Sequence, residues 1–153
     1  MIHNDVLRSV RYMLDISDAK VAEIIKLTGF DTSRSDIVNY LKKDEEEGFV
    51  HCPDEVMAYF LDGLVIFKRG KDDSRPALAV ELPVTNNIIL KKLRVAFELK
   101  EDDLHTILKS VDFPVSKPEL SALFRKVGHN NYRPCGDQLL RNFLKGLTLR
   151  VRK

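Results

Sequence analysis

No apolar run in this 153-residue chain approaches the roughly 20 residues that a membrane-spanning helix needs. A helical membrane protein is therefore not expected. The opening Met1-Ile2-His3-Asn4-Asp5 lacks a charged segment leading into an apolar one, so no signal peptide is expected either. Cysteine is scarce, with two residues, Cys52 and Cys135. Without an export signal, that scarcity points to a reducing compartment, the cytoplasm, rather than to a disulfide scaffold. CxxC and HxxxH spacings are missing, so His51 and His129 do not join the cysteines in a recognisable zinc signature. Neither a metal nor a cofactor is expected. Also missing are G-x-S-x-G, the P-loop, H-E-x-x-H and a dinucleotide glycine cluster. These absences favour a non-enzymatic role.

What is present is an ordinary globular composition, 44% hydrophobic and 31% charged. The net charge of +2 conceals a division. Residues 4–70 hold nine Lys/Arg against thirteen Asp/Glu, whereas residues 87–153 hold fourteen against seven. Such a split favours either attraction between the halves or a polyanionic partner for the second half.

The division follows an internal duplication. Shifting the chain by 83 places residues 4–70 on 87–153 without a gap, with 15 of 67 positions identical. Average composition would give roughly 6%. Asn4/Asn87, Cys52/Cys135, Asp54/Asp137 and Gly63/Gly146 are among the identities. Each unit reads as four helices. The first buries Val6, Leu7, Val10, Met13 and Leu14, or Ile89, Leu90, Leu93 and Phe97, with Asn4 and Asn87 as candidate N-caps. The second starts at Ser17 and puts Val21, Ile24, Ile25 and Thr28 on one face, with Gly29 suited to its C-terminal cap. Its copy carries Glu101, Asp102 and Asp103 in the first turn. The third starts at Ser33 or Ser116, the latter in the capping box Ser116-Lys117-Pro118-Glu119. The fourth starts near Asp54 or Asp137 and buries Val56, Phe60, Leu64 and Phe67, or Leu139, Phe143 and Leu147. Gly63 and Gly146 fall inside it and imply close helix approach, or else an early helix end. The tail 147–152 alternates and could form a short terminal strand.

The expected fold is all-α, two tandem pseudo-symmetric four-helix units packed on a shared core. Residues 1–70 form the first unit, 71–86 an extended linker and 87–153 the second unit. A unit of about 67 residues would be marginal alone.

Three stretches are candidates for chemistry. The turn at 128–137 offers Gly136 and a helix start, with His129, Arg133 and Arg141 supplying positive charge for an anion. The first unit has Glu45-Glu46-Glu47 in that place, so the site would not be duplicated. The alternative is a plain capped helix start with Tyr132 packed. Cys135 stands just before a helix, where a thiol can become reactive, with His129 as its base and Arg133 as an anion anchor. The alternative is a packing residue. Lastly, residues 21–50 are similar to the helix-turn-helix stretch of winged-helix proteins, in which Arg34, Ser35, Asn39, Lys42 and Lys43 would face the groove. Asp44 to Glu47 would there repel phosphate.

The whole chain also resembles the YehS-like family of bacterial proteins. The resemblance is carried by Asn4-Asp5-Val6-Leu7-Arg8, Thr85-Asn86-Asn87, Lys117-Pro118-Glu119-Leu120-Ser121-Ala122-Leu123-Phe124-Arg125-Lys126 and Asn131-Tyr132-Arg133-Pro134-Cys135-Gly136-Asp137-Gln138. It implies a tandem domain of unknown function in a cytoplasmic protein, and brings no catalytic residue.

The leading expectation is a binding module that takes nucleic acid on its basic second unit, through Arg125, Lys126, His129, Arg133, Arg141, Arg150 and Arg152. The first alternative is a protein-interaction or regulatory adaptor that self-associates, as a homodimer, through its oppositely charged units. The next is a small-anion-binding protein or thiol enzyme at residues 128–141.

Overall fold

The computed structural model describes residues 1–71 and 80–153. Eight helices and no strand lie among them. The first repeat holds α1 (His3–Leu14), α2 (Asp18–Lys26), α3 (Arg34–Tyr40) and α4 (Asp54–Arg69). The second holds α5 (Asn86–Ala96), α6 (Glu101–Lys109), α7 (Lys117–Leu123) and α8 (Asp137–Val151). Most of the expected linker, 72–79, lies outside the described residues, and its last residue, Asn86, already belongs to α5.

Helix starts follow their local chemistry. Ser17 Oγ accepts the Lys20 N–H at 3.1 Å, and Ser33 Oγ the Asp36 N–H at 3.1 Å. Ser116 Oγ accepts the Glu119 N–H at 3.3 Å and donates to the Glu119 carboxylate at 2.8 Å. Gly70 closes α4 at φ +84° after Lys68 and Arg69.

Several expectations are corrected. Asn4 and Asn87 are not N-caps: Ile2 and Thr85 hold those positions, and both asparagines are buried within the first turn. The 147–152 tail is no strand, because α8 runs through Val151 and buries Leu147 against the rest of the core. Phe67 is not buried; it is 38% exposed, with the Lys20 ammonium 5.2 Å from its ring centre.

The glycines in α4 and α8 mark close crossings inside each repeat, and neither helix ends there. A Cβ on Gly63 would lie 2.8 Å from the Ile24 carbonyl carbon and closer still to its oxygen. A Cβ on Gly146 would lie 2.5 Å from the Ile107 carbonyl oxygen. Only a residue without a side chain lets α2 rest on α4, and α6 on α8, at this distance.

The two repeats share their core reciprocally. α4 packs on α5, and α1 packs on α8. Buried side chains from both repeats, with Phe60 and Phe143 the largest, form one apolar cluster. The pseudo-two-fold relation extends to the polar rim. Arg69 reaches Glu98 at 3.4 Å, and its equivalent Arg152 reaches Asp15 at 3.9 Å. Asp54 accepts the Val84 N–H at 2.9 Å and meets His3 Nε2 at 2.8 Å. Its equivalent Asp137 accepts from the Met1 amino group at 2.9 Å and from the Asn86 side chain at 2.8 Å. Each repeat thus holds the segment leading into the other. Sharing of this kind suits units too small to bury a sufficient core alone.

A candidate anion-binding cleft in the second repeat

The segment after α7 is fixed from below. The Asn87 side-chain amide donates to the Leu123 carbonyl at 3.0 Å and to the Arg133 carbonyl at 2.8 Å. Its oxygen accepts the Cys135 N–H at 2.8 Å. One buried side chain thereby ties the end of α7 to the start of α8. A backbone bond from the Arg133 N–H to the Ala122 carbonyl, 3.1 Å, adds a second tie. The turn between them rises over α7 and encloses a cleft of about 630 Å³. Lys117, Arg125, Arg133, Asn130 and Tyr132 stand on its walls, over Ala122.

Lys117, Arg125 and Arg133 enter no ion pair among the described residues. Glu119 also lines the cleft, where the Ser116 hydroxyl donates to its carboxylate without removing its charge. Three cations against the single Glu119 carboxylate leave the concavity with a net positive charge, whose potential attracts anions.

The first repeat has the same backbone tie, with different side chains over it. Asn4 donates to the Tyr40 carbonyl at 3.0 Å and the Val50 carbonyl at 2.8 Å, and accepts the Cys52 N–H at 2.9 Å. Asn39 stands where the second repeat has Ala122, and Lys42 where it has Arg125. The Lys42 ammonium lies across the turn, donating to the Glu47 carbonyl at 2.9 Å, and Asn39 Oδ1 also comes close to Gly48. Their side chains fill the space that Ala122 leaves open.

The expected basic set is dispersed over the second repeat. Arg125 and Arg133 share the cleft, and Lys126 is at its edge in an adjoining groove. His129 is exposed in the turn, where its Nδ1 accepts the Asn131 N–H at 3.0 Å. Arg141 faces a separate depression with Asp5, Ser9 and Lys145. Arg150 is bound to Asp103 at 2.9 Å. The Asp103 carboxyl is held below the usual carboxylate range by the Lys100 N–H first and by Arg150 second. Arg152 is bound to the Tyr12 carbonyl and stacks over the Tyr12 ring at 4.2 Å. Arg150 and Arg152 therefore clasp helices. Lys117, Asn130 and Tyr132 were missing from the expected set. The signal that could have found them is the replacement of Asn39 by Ala122 and of Glu47 by Asn130 between the repeats.

Burial opposes a thiolate at Cys135, the candidate reactive thiol, and suits the alternative of a packing residue. Burial first, and the Asp137 carboxylate second, push that thiol up to about 11. Burial and Asp54 push the Cys52 thiol up to about 12. Both thiols point back at backbone carbonyls, Sγ to oxygen 3.5 Å, and both are free. A protonated thiol buried in the core is a poor nucleophile.

The helix-turn-helix expectation also meets an obstacle. α3 has seven residues, Ser35 Oγ is paired with Ser33 Oγ at 3.2 Å, and Lys42 is folded onto its own turn. No strand follows among the described residues to form a wing. No group of three His, Cys, Asp or Glu side chains among the described residues is placed to hold a metal ion. None of the described helices is long and apolar enough to cross a membrane.

The chain is 49% identical over 150 residues to a protein of Escherichia coli (strain K12) that carries the name "Uncharacterized protein YehS", covering 98% of this chain and 96% of the relative. No solved structure matches it. A family defined as "Protein of unknown function (DUF1456)" matches residues 3–70 and again residues 86–153. The two matches coincide with the two four-helix repeats, and the chain belongs to the DUF1456 family, of which it carries two copies in tandem.

Proposed function

We propose that the protein is a non-enzymatic binding module that takes nucleic acid through the cleft of its second repeat. The observation that carries this reading is the convergence of Lys117, Arg125 and Arg133, without ion-pair partners, on one concavity. Cations outside internal ion pairs can release counterions from phosphates, which is the main source of nucleic-acid affinity. The polar Asn130 and the half-buried Tyr132 on the same walls supply groups for sugar and base. The first repeat, acidic and filled by Asn39 and Lys42, serves as the structural partner. Residues 1–70 and 86–153 act as the two units, and two free cysteines suit work in the cytoplasm.

The test is fluorescence anisotropy of a labelled mixed-sequence oligonucleotide across a salt series. Three phosphate contacts on a single strand give a slope of log affinity against log salt of roughly −2. Arg125→Gln or Arg133→Gln reduces the slope by about 0.7 each. Arg150→Gln, whose side chain is occupied by Asp103, leaves it unchanged. Undetectable binding by the wild type at low salt rejects the reading.

A further inference from the structure

The cationic cleft has a neighbour of different character. A groove of about 770 Å³ lies on the other side of Arg125 and Tyr132, which belong to both depressions. Leu82, Pro83, Phe124 and Val127 make its walls apolar, and Lys126 lines it together with Lys91, which is paired with Glu81 at 3.6 Å. Val127 is 82% exposed and Leu82 is 53% exposed. Leu82 lies where the chain returns toward α5, close to Val84, whose N–H is held by Asp54. Exposed apolar side chains beside the cationic cleft, with a tyrosine at the boundary, call for a ligand that is anionic along one edge and flat and apolar along the other.

A duplex is not such a ligand. It turns its phosphates outward and keeps its base faces stacked inside, so the groove beside Val127 would stay in water. A single strand offers both edges, phosphates on one side and unstacked base faces on the other. We infer that the ligand is single-stranded nucleic acid, with its phosphates along Lys117, Arg125 and Arg133 and its bases passing over Tyr132 into the apolar groove. This inference rests on the nucleic-acid reading above and narrows it. Charge complementarity places the strand on this face only. The first repeat has Asp44 at the position of Val127, and the ring of Phe49, equivalent to Tyr132, meets His51 edge-on at 5.0 Å.

The experiment compares four labelled probes of about 12 nucleotides, within the usual length of single-strand sites. They are a mixed-sequence DNA strand, the same sequence as RNA, the corresponding DNA duplex, and a strand of the same length made wholly of abasic sugar phosphates. Both base-bearing single strands are expected to bind at least about tenfold more tightly than the duplex and the abasic strand. That preference is of the order of one to two stacked bases. Tyr132→Ala should weaken the single strand by about 5- to 100-fold while leaving the salt slope in place. Val127→Glu, at a position too exposed to affect folding, should weaken it as well; thermal melting of both variants confirms the fold.

A duplex that binds as tightly as the single strand overturns the inference and leaves the broader nucleic-acid reading standing. An abasic strand that binds as tightly does the same, because it assigns the affinity to phosphate alone. Absence of binding by all four probes removes both readings. Light scattering supplies the remaining outcome. A dimer that Val127→Glu converts to monomer would mean that a second copy covers the groove, and this too overturns the inference.

Discussion

The Asn4 side-chain oxygen accepts the Cys52 backbone N–H at 2.9 Å, across 48 residues of chain. The same amide gives both its protons away, to the Tyr40 and Val50 carbonyls. Asn87 repeats the arrangement with Cys135, Leu123 and Arg133. Each repeat therefore contains one buried amide that joins the start of its first helix, the end of its third and the start of its fourth. Groups buried in this way are costly to leave unpaired.

Replacing Asn4 by Ala should lower stability by about 3 kcal/mol, since up to three backbone groups lose their partner. Asn4→Asp keeps the shape but turns a carboxylate toward two carbonyl oxygens, so it should be at least as damaging at neutral pH. Asn87→Ala should follow the same direction and should also loosen the turn that shapes the cleft, reducing oligonucleotide affinity, which Asn4→Ala should leave close to wild type. Urea unfolding and the anisotropy assay check both halves of this expectation. A change below about 1 kcal/mol for either alanine variant would mean that water replaces the amide.

Much of the fold was legible in the sequence because its signals are local or repeated. Apolar side chains at helical spacing placed the helices, and Ser17, Ser33 and Ser116 marked three starts through bonds only three residues long. The duplication fixed the symmetry. Asn4 was misjudged because an asparagine near a helix start has the same local pattern whether it caps or is buried, and its partners lie 36 to 48 residues away. The tail misled for a similar reason. Its alternation suits a strand, but contact between α1 and α8 decides the matter, and Leu149 simply remains 56% exposed on the helix. In the candidate site the charge was legible and the shape was not. Arg152 and Arg133 are both basic, and only the packing reveals that one is bound over Tyr12 while the other lines a cleft.

The two glycine positions on which α2 and α4 depend should respond differently to alanine. At Gly63 a methyl group runs into the Ile24 carbonyl, which is backbone and cannot rotate away. The helices must separate, and Gly63→Ala should cost about 2–3 kcal/mol despite the better helix propensity of Ala. At Gly29 the space is empty, but φ is +86°. Gly29→Ala should cost only about 1 kcal/mol, the strain of a left-handed Ala. Asp112, equivalent to Gly29, already sits at φ +56°, so the position tolerates a side chain. Denaturant midpoints for the two variants test the order; a Gly63→Ala protein as stable as Gly29→Ala would contradict the close crossing.

The buried thiols predict a specific alkaline behaviour. In the folded chain Cys135 is pushed up to about 11 and Cys52 to about 12, chiefly by burial. In the unfolded chain both ionise near 8.5. Above that pH the unfolded state releases thiol protons that the folded state still holds, so folding stability must decrease as pH rises. The contribution is fully present below about pH 8.5 and is lost progressively toward the folded values. A protein with Cys52→Ala and Cys135→Ala should lose some packing at every pH, yet show a shallower fall between about pH 8.5 and 10.5 than the wild type. A thiol reagent at pH 8 should react slowly with the native protein and fully with both cysteines once it is unfolded. Equal alkaline slopes in the two proteins, or rapid reaction of native Cys135, would mean that its thiolate is accessible, and would return Cys135 to consideration as a nucleophile.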